Sequence, residues 1–363
     1  MKKTERSAVP AVPLAVGLLT IGLAAALAAP AKPELTVITH DSFDVSKTLI
    51  AQFEKTHDVT VRFIKGGDAG AMLNKLLLSQ GQPLADVVYG LDNTLVGKAN
   101  RAGLLEAYAS PAAKAVPEKY RAAVAPLTPV DYGWVALNLD KKWFDQHKLA
   151  LPKTLEDLTR PAYKGLVVTE NPATSSPGLA FLLATVKTLG ETGALKFWRA
   201  LARNDLLVSN GWTDAYNTQF SLYGGARPVV VSYASSPAAE VAYSKTKLTA
   251  SPTANLLLPG SAFLQVEGVG VLKGTRQPAL ARAFVDFMVS KAVQADFPTR
   301  MWVYPVVPGV KLDPVFRFAQ VPTAAEEATP SPDTIAARAD ALVDEWTKVV
   351  QQGADPAAVG GGR

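Results

Sequence analysis

The residues LTVITHDSFDVSKTLIAQFEKTHDVTVRFIKGGD, Leu35–Asp68, set the fold class. Leu35–Thr39 is a short run rich in β-branched residues and reads as a strand. Val45–His57 carries Leu49, Ile50 and Phe53 at helical spacing, and Val59–Ile64 is a second strand. A helix over Ala71–Leu78 and a third strand over Asp86–Tyr89 continue the alternation. Strand–helix–strand units bring successive strands side by side in parallel, so the class is α/β. In such sheets ligands collect beyond the C-terminal ends of the strands. Those ends carry His40-Asp41-Ser42, Gly66-Gly67-Asp68 and Gly90-Leu91-Asp92-Asn93, polar loops expected along one wall of a cleft.

A second α/β set follows Val130–Asp140 (VDYGWVALNLD), a long strand rich in aromatics. Pro152–Leu158 resembles a helix start. The strand Gly165–Thr169 then runs into TENPATSSPG, Thr169–Gly178, and a helix over Leu179–Leu189. Hydroxyls at Thr174, Ser175 and Ser176, followed by Pro177 and Gly178, mark a helix N-terminus. Thr174 is expected to cap that helix. Free backbone N–H groups and the positive end of the helix dipole suit an anionic or hydrogen-bond-accepting ligand group there. Beyond lie a helix over Gly193–Ala202, a strand over Leu206–Ser209, and a helix over Thr213–Leu222 entered through Gly211-Trp212. The strand Pro228–Tyr233 ends in Ala234-Ser235-Ser236-Pro237, a second hydroxyl-and-proline junction. A strand over Leu264–Leu272, an amphipathic helix over Pro278–Val289, the segment Ala292–Phe297, a loop Thr299–Pro305 and a helix Asp333–Val350 complete the chain. No repeat of domain-building length is present.

The chain has 363 residues, of which 48% are hydrophobic and 19% charged, an ordinary globular composition with length for about two domains. Lys2, Lys3 and Arg6 precede an apolar stretch from Val9 to Leu27 and the small residues Ala26-Leu27-Ala28. Residues 1–28 therefore read as a secretory signal peptide cleaved near Ala28, with a transmembrane anchor as the alternative. There are no cysteines, so neither disulfides nor a lipid anchor on a processed Cys is expected. An exported, unanchored chain points to a periplasm, with secretion into the medium as the other destination. Net charge is +5; removing residues 1–28 takes away three basic residues and one acidic residue and leaves +3. A charge of that size bears on solubility and does not indicate nucleic acid. The Gly/Ala-rich end, residues 351–363, reads as a disordered tail.

Most catalytic constellations have no material. With no Cys and only His40, His57 and His147, a zinc cluster or a Cys–His pair has almost no material, a Ser/His/Asp triad would have to use His40, and no metal site is expected. HExxH, Walker A, GxSxG and GxGxxG are all absent. What stands out is aromatic: Trp212, Tyr233 and Trp302 sit in loops or at strand ends beside Gly, Ser or Arg. A lone Trp is usually core. Beside acidic loops, however, these rings suit a flat, cationic, partly heteroaromatic ligand through stacking and cation–π contact.

At these residues the chain resembles the periplasmic thiamine-binding proteins, solute receptors of ABC importers. The likeness runs from about Leu35 to Val350 through LTVITHDSF (Leu35–Phe43), ADVVYGLDN (Ala85–Asn93), PVDYGWVAL (Pro129–Leu137), NPATSSPGL (Asn171–Leu179), NGWTDAY (Asn210–Tyr216), SYASSPA (Ser232–Ala238), FLQVE (Phe263–Glu267) and MWVYPV (Met301–Val306). It implies a two-lobed periplasmic binding protein of type II-like α/β fold, with a ligand cleft between lobes joined by crossover strands. Lobe 1 would take residues 32–128 and 265–318, and lobe 2 residues 129–264 and 319–350. Crossovers would fall near Pro126–Val130, Leu264 and Phe316–Pro322. The ligand implied is thiamine, thiamine monophosphate or thiamine diphosphate, and the partner an inner-membrane ABC permease. The protein would be a monomer without cofactor or catalytic residues. By the resemblance, Asp68 and Ala69 form one wall, with Asp68 an acceptor for the aminopyrimidine. Ser175 and Ser176 meet the hydroxyethyl or phosphate tail, and Trp212 and Tyr233 flank the rings. Ala234, Ser235 and Ser236 add contacts, and Trp302 closes the far side. Where close relatives read Tyr-Asp-Ser-Phe, this chain has His40-Asp41-Ser42-Phe43, which implies weaker or pH-dependent binding of a thiazolium. The same architecture also serves iron and polyamine receptors, so those ligands stay open, as does a periplasmic hydrolase.

Overall fold

One mixed sheet joins all the strands of the computed structural model, which describes residues 32–359. The leader expected over residues 1–28 lies outside the described residues. The strands are β1 (Glu34–Thr39), β2 (Thr60–Lys65), β3 (Val87–Asp92), β4 (Thr128–Asp140), β5 (Val167–Glu170), β6 (Leu207–Ser209), β7 (Val229–Tyr233), β8 (Thr253–Leu256), β9 (Phe263–Val271) and β10 (Tyr304–Pro305). Their order is β2-β1-β3-β9-β4-β7-β5-β6, with β8 and β10 added alongside β4. β1 pairs in parallel with β2 and β3, and β5 in parallel with β6 and β7. Between these parallel sets run β9 and β4, antiparallel to each other and to their outer neighbours. The sequence alternation thus yields parallel sets where helices cross over, and two long antiparallel strands join them.

The helix Lys47–His57 places Phe53 against Phe284 and Phe287 of the helix Pro278–Met288, in a core shared with Val37, Val87 and Val269. A larger core surrounds the long helical stretch Ser176–Arg203, where Trp198 meets Trp346 of the helix Pro332–Trp346 edge-to-face at 5.7 Å. Read as two helices in the sequence, Ser176–Arg203 does break, at Gly190 (φ 69°, ψ 162°). The two segments fold back so that the Trp198 indole donates to the Thr185 hydroxyl at 2.9 Å. The helix Pro332–Trp346 touches both parallel sets: Arg101 and Lys98 pair with Asp340, while Arg338 pairs with Glu191.

Two expectations change. Thr213–Leu222 is not one helix but a turn at Trp212–Asp214, a π-helical turn at Ala215–Gln219 and a 3₁₀ turn at Ser221–Tyr223. Arg227 N–H donates to the Gln219 carbonyl and Ser221 N–H to that of Arg227, which bends the chain back and ends helical bonding. The tail expected over residues 351–363 is ordered as far as Val359, with a short helix Pro356–Val359. The helix Ser236–Tyr243 starts at the second hydroxyl-and-proline junction read in the sequence; β8, β10 and the helices Val96–Arg101, Glu118–Val124 and Lys141–His147 were not legible, because such short elements show little apolar periodicity.

Gly190 has open space where a Cβ would stand, so substitution there tests backbone strain alone. Its dihedrals are accessible almost only to glycine. Gly190→Ala is expected to lower unfolding stability by about 1–3 kcal/mol in denaturant titration; an unchanged midpoint would contradict the break.

Candidate functional site

A cavity of about 640 Å³ opens where the C-terminal ends of β1, β2, β6 and β7 converge. The loops after β1 and β2 form one wall. The opposite wall comes from Asn210–Thr218 and from the N-terminal ends of the helices at Ser176 and Ser236. Glu267 of β9 reaches in from the central strands, and Met301–Val303 complete the lining.

On the first wall, His40 packs over a bulge in β3. The β3–β9 register shifts between Tyr89 and Leu91, and Gly90 there has φ +92°. A Cβ on Gly90 would collide with the His40 ring. Gly90-Leu91-Asp92-Asn93 is therefore not a cleft loop as expected from sequence: Gly90–Asp92 lie within β3, and the segment does not line the cavity. Asp68 caps the helix Ala69–Leu78, its Oδ1 accepting the Ala69 N–H at 2.6 Å. Its Oδ2 accepts the backbone N–H of Trp212 at 2.9 Å, a bond between the two walls. Burial raises the Asp68 carboxyl, and the Trp212 N–H offsets only part of that rise. Two further contacts join the walls. Ala71 N–H donates to the Thr174 carbonyl at 2.8 Å, and a Cβ on Gly70 would lie 2.6 Å from the Thr174 carbonyl carbon.

On the opposite wall, Trp212 stacks on Tyr216 (5.0 Å between centroids, 16° between planes) and lies 6.2 Å from Tyr233. Its indole N–H donates to Ser232 Oγ at 2.9 Å, which fixes the ring plane. Glu240 accepts the hydroxyls of Tyr216 at 2.8 Å and Tyr223 at 2.7 Å. Trp302 ends the helix Lys291–Met301 in left-handed backbone (φ 58°), a conformation that bulky residues rarely adopt. Its indole N–H donates to Tyr243 OH at 2.9 Å, and its ring stacks on Phe316.

Carboxyls come from Asp41, Asp68, Asp214, Glu240 and Glu267, the imidazole of His40 is the only basic side chain, and neither Lys nor Arg lines the space. His40 Nε2 lies 3.3 Å from Glu267 Oε1. Burial, the largest influence, pulls the imidazole down, but the Glu267 charge, the hydrogen bond to Glu267 and the Asp68 charge together outweigh it and the net shift is upward. Glu267 shifts the other way: burial would raise it, and the His40 charge holds it below the usual carboxylate range. Behind it, burial and the Glu267 charge push Asp131 well up, and burial pushes Asp92 up to about 6. Glu170, fully buried and without a hydrogen-bond partner for its carboxyl oxygens, is also raised well above the usual range by burial. Among the described residues, no group of His, Cys, Asp or Glu is arranged to hold a metal ion.

Of the residues expected at a site, His40, Asp68, Ala69, Ser176, Trp212, Tyr233, Ser235, Ser236 and Trp302 line this cavity, and Ser175 and Ala234 do not. Ser175 occupies the N-cap position with its hydroxyl buried behind the cavity wall. Ala234 packs behind the wall with Ala136 and Ala262. Thr174 does not cap the helix; its hydroxyl donates to the Asn210 carbonyl at 2.7 Å. Sequence reasoning missed Tyr216, Glu240, Tyr243 and Glu267. Glu240 and Tyr243 follow Pro237 at three-residue intervals, a helical-face signal that could have been read. Glu267 gave no such signal, because its direction depends on the register of β9.

The family model for bacterial extracellular solute-binding protein matches residues 82–327. The thiamine-binding periplasmic protein of Escherichia coli (strain K12) is 32% identical over 326 residues, covering 89% of this chain and 95% of that one. Its counterpart in Salmonella typhimurium is 33% identical over 340 residues, covering 92% and 98%. A solved structure described as a periplasmic thiamin binding protein superposes with a TM-score of 0.75 at 32% identity, over 89% of this chain and 98% of that one. The fold is accordingly the two-lobed α/β fold of periplasmic binding proteins. This chain belongs to the bacterial extracellular solute-binding proteins and, within them, to the family of the thiamine-binding periplasmic proteins.

Proposed function

We propose that the protein is a periplasmic receptor, and not an enzyme, that binds thiamine and its phosphates in the cavity and delivers them to an inner-membrane ABC permease. The observation that carries this reading is the pairing of aromatic faces with a lining that holds carboxyls and neither Lys nor Arg. Such a lining favours a flat organic cation, because each carboxylate attracts it and the ring faces of Trp and Tyr stabilise positive charge. In this reading Trp212, Tyr233, Trp302 and His40 enclose the rings. Asp68 and Ala69 meet the aminopyrimidine, and the second lone pairs of the Asp68 oxygens remain for it. The hydroxyethyl or phosphate tail lies toward Ser176, at the start of a helix and next to the buried Ser175; Ser235, Ser236 and the backbone of Ala234 border it. The lobes are read as residues 32–128 with 265–318 and 129–264 with 319–350, hinged where β4 and β9 cross between them. The mature chain is read as a monomer that begins after Ala28 and carries no lipid anchor.

Calorimetry with thiamine, its monophosphate and diphosphate, ferric ion and spermidine tests the ligand. Thiamine is expected to bind, ferric ion and spermidine not. The diphosphate is expected to bind more weakly than thiamine, since its added negative charge meets no Lys or Arg. Release of phosphate from a thiamine ester would overturn the receptor reading. Trp212→Ala should weaken thiamine binding by about 1–3 kcal/mol, the worth of a desolvated aromatic anchor. Gly70→Ala puts a methyl against the Thr174 backbone and should hinder closure. Affinity is expected to fall more than about 10-fold, or 1.4 kcal/mol, with little change in thermal unfolding. A large loss of stability instead would assign Gly70 to folding.

A further inference from the structure

We infer that Glu267 is the counter-charge for the ligand's cationic ring and that His40 competes for the same carboxylate, so that proton uptake at His40 loosens the ligand. The inference rests on the thiamine reading above. Glu267 projects from the central strand β9 with its side chain 9% exposed, and it is one of the cavity-lining residues. Its two oxygens face different partners. Oε1 lies 3.3 Å from His40 Nε2, and Oε2 accepts the Tyr89 hydroxyl at 3.2 Å. Tyr89 also donates to Asp131 Oδ2 at 2.6 Å, so one hydroxyl ties two acids on adjacent strands.

The charged and titratable groups around this pair come from every packed element. β3 supplies Tyr89 and Asp92, β4 Asp131, β7 Tyr233, and the end of β2 Lys65 and Asp68. Lys65 donates to the Phe43 carbonyl and reaches the His40 carbonyl at 3.5 Å, and its charge opposes protonation of the imidazole. Asp92 is held by Gln265 and Thr94, and Asp68 by the Ala69 and Trp212 N–H groups. Burial drives Asp131 and Asp92 toward the neutral form, while Glu267 shifts toward the charged form. Of these three acids Glu267 alone lines the cavity.

The sign of the pH effect follows. With His40 protonated, the imidazolium neutralises Glu267 and repels a second cation. With His40 neutral, Glu267 is available to the ligand ring. Affinity for a cation therefore rises with pH through the His40 titration, and a cation bound at lower pH displaces a proton from His40.

The test compares thiamine with its neutral thiophene isostere, in which carbon replaces the ring nitrogen, on the full-length mature protein between pH 5.5 and 8. Thiamine affinity should rise at least about 5-fold across that range, with proton release detected in buffers of different ionisation enthalpy. The isostere shares the aminopyrimidine and should bind with little pH dependence. His40→Phe should flatten the thiamine profile. Glu267→Gln should weaken thiamine at pH 8 by about 10-fold or more and leave the isostere nearly unaffected. Equal pH dependence for both ligands, a flat wild-type thiamine profile, or equal losses in Glu267→Gln would overturn the inference. Absence of thiamine binding at pH 8 would instead overturn the ligand assignment. Should Glu267→Gln fail to fold, the wild-type comparison and His40→Phe still decide.

Discussion

The pairing of β4 with β9 ties the two halves into one sheet. Thr128–Val135 of β4 runs antiparallel to Phe263–Val269 of β9; from there β4 continues along β7 and β8 while β9 continues along β3. Both strands are almost wholly buried, yet they carry Asp131, Asn138, Gln265 and Glu267. Buried polar groups need partners, since an unmade hydrogen bond costs about 1–3 kcal/mol. Gln265 donates to both Asp92 and Ser176, and Asn138 donates to the Tyr233 carbonyl. These bonds reach from the central strands to the walls of the cavity, so the strands that join the halves also position what faces the ligand.

Across the cavity the two walls complete each other's hydrogen bonding. The helix Ala69–Leu78 begins with N–H groups that have no partner within the helix. Its own Asp68 takes one, and the Thr174 carbonyl from the opposite wall takes another. Trp212, in turn, is held by Asp68 through its backbone and by Ser232 through its indole. Separation of the walls exchanges the Trp212–Asp68 and Ala71–Thr174 bonds for bonds to water, a small net change. That near balance is what a receptor that closes by hinge motion requires, because the ligand can then decide between the two states.

The charged groups around the same cavity are set by burial and pairing. Burial raises Asp131 and Asp92, while the His40 charge and hydrogen bonds from His40, Asp131 and Tyr89 hold Glu267 low. The imidazole stands where close relatives are expected to carry a tyrosine, and it rests on the Gly90 bulge that leaves room for it. A ring that only stacks would be indifferent to pH, whereas this one carries a charge that depends on it.

The α/β class, the parallel units, the break between Leu189 and Gly193, and the hydroxyl and aromatic lining residues Ser176, Trp212, Tyr233, Ser235, Ser236 and Trp302 were legible in the sequence. Those features come from local signals: apolar period, hydroxyl-and-proline helix starts, and aromatic residues stranded in polar loops. The position of Gly90, the inward direction of Glu267 and the burial of Ser175 and Ala234 were not. Each is set by strand register or by a bulge, and in a strand a shift of one residue turns every side chain to the other face. The roles of Asp68 and Thr174 also exceeded local reading, since both bond to Asn210–Trp212, far away in the chain. The sequence by itself determined which chemistry was on offer: aromatic faces, hydroxyls and carboxyls with neither thiol nor metal cluster. Only the tertiary structure decided which of those groups share one space and which carboxylate keeps its charge there, because burial and pairing are properties of neighbours that the chain brings together only when it folds.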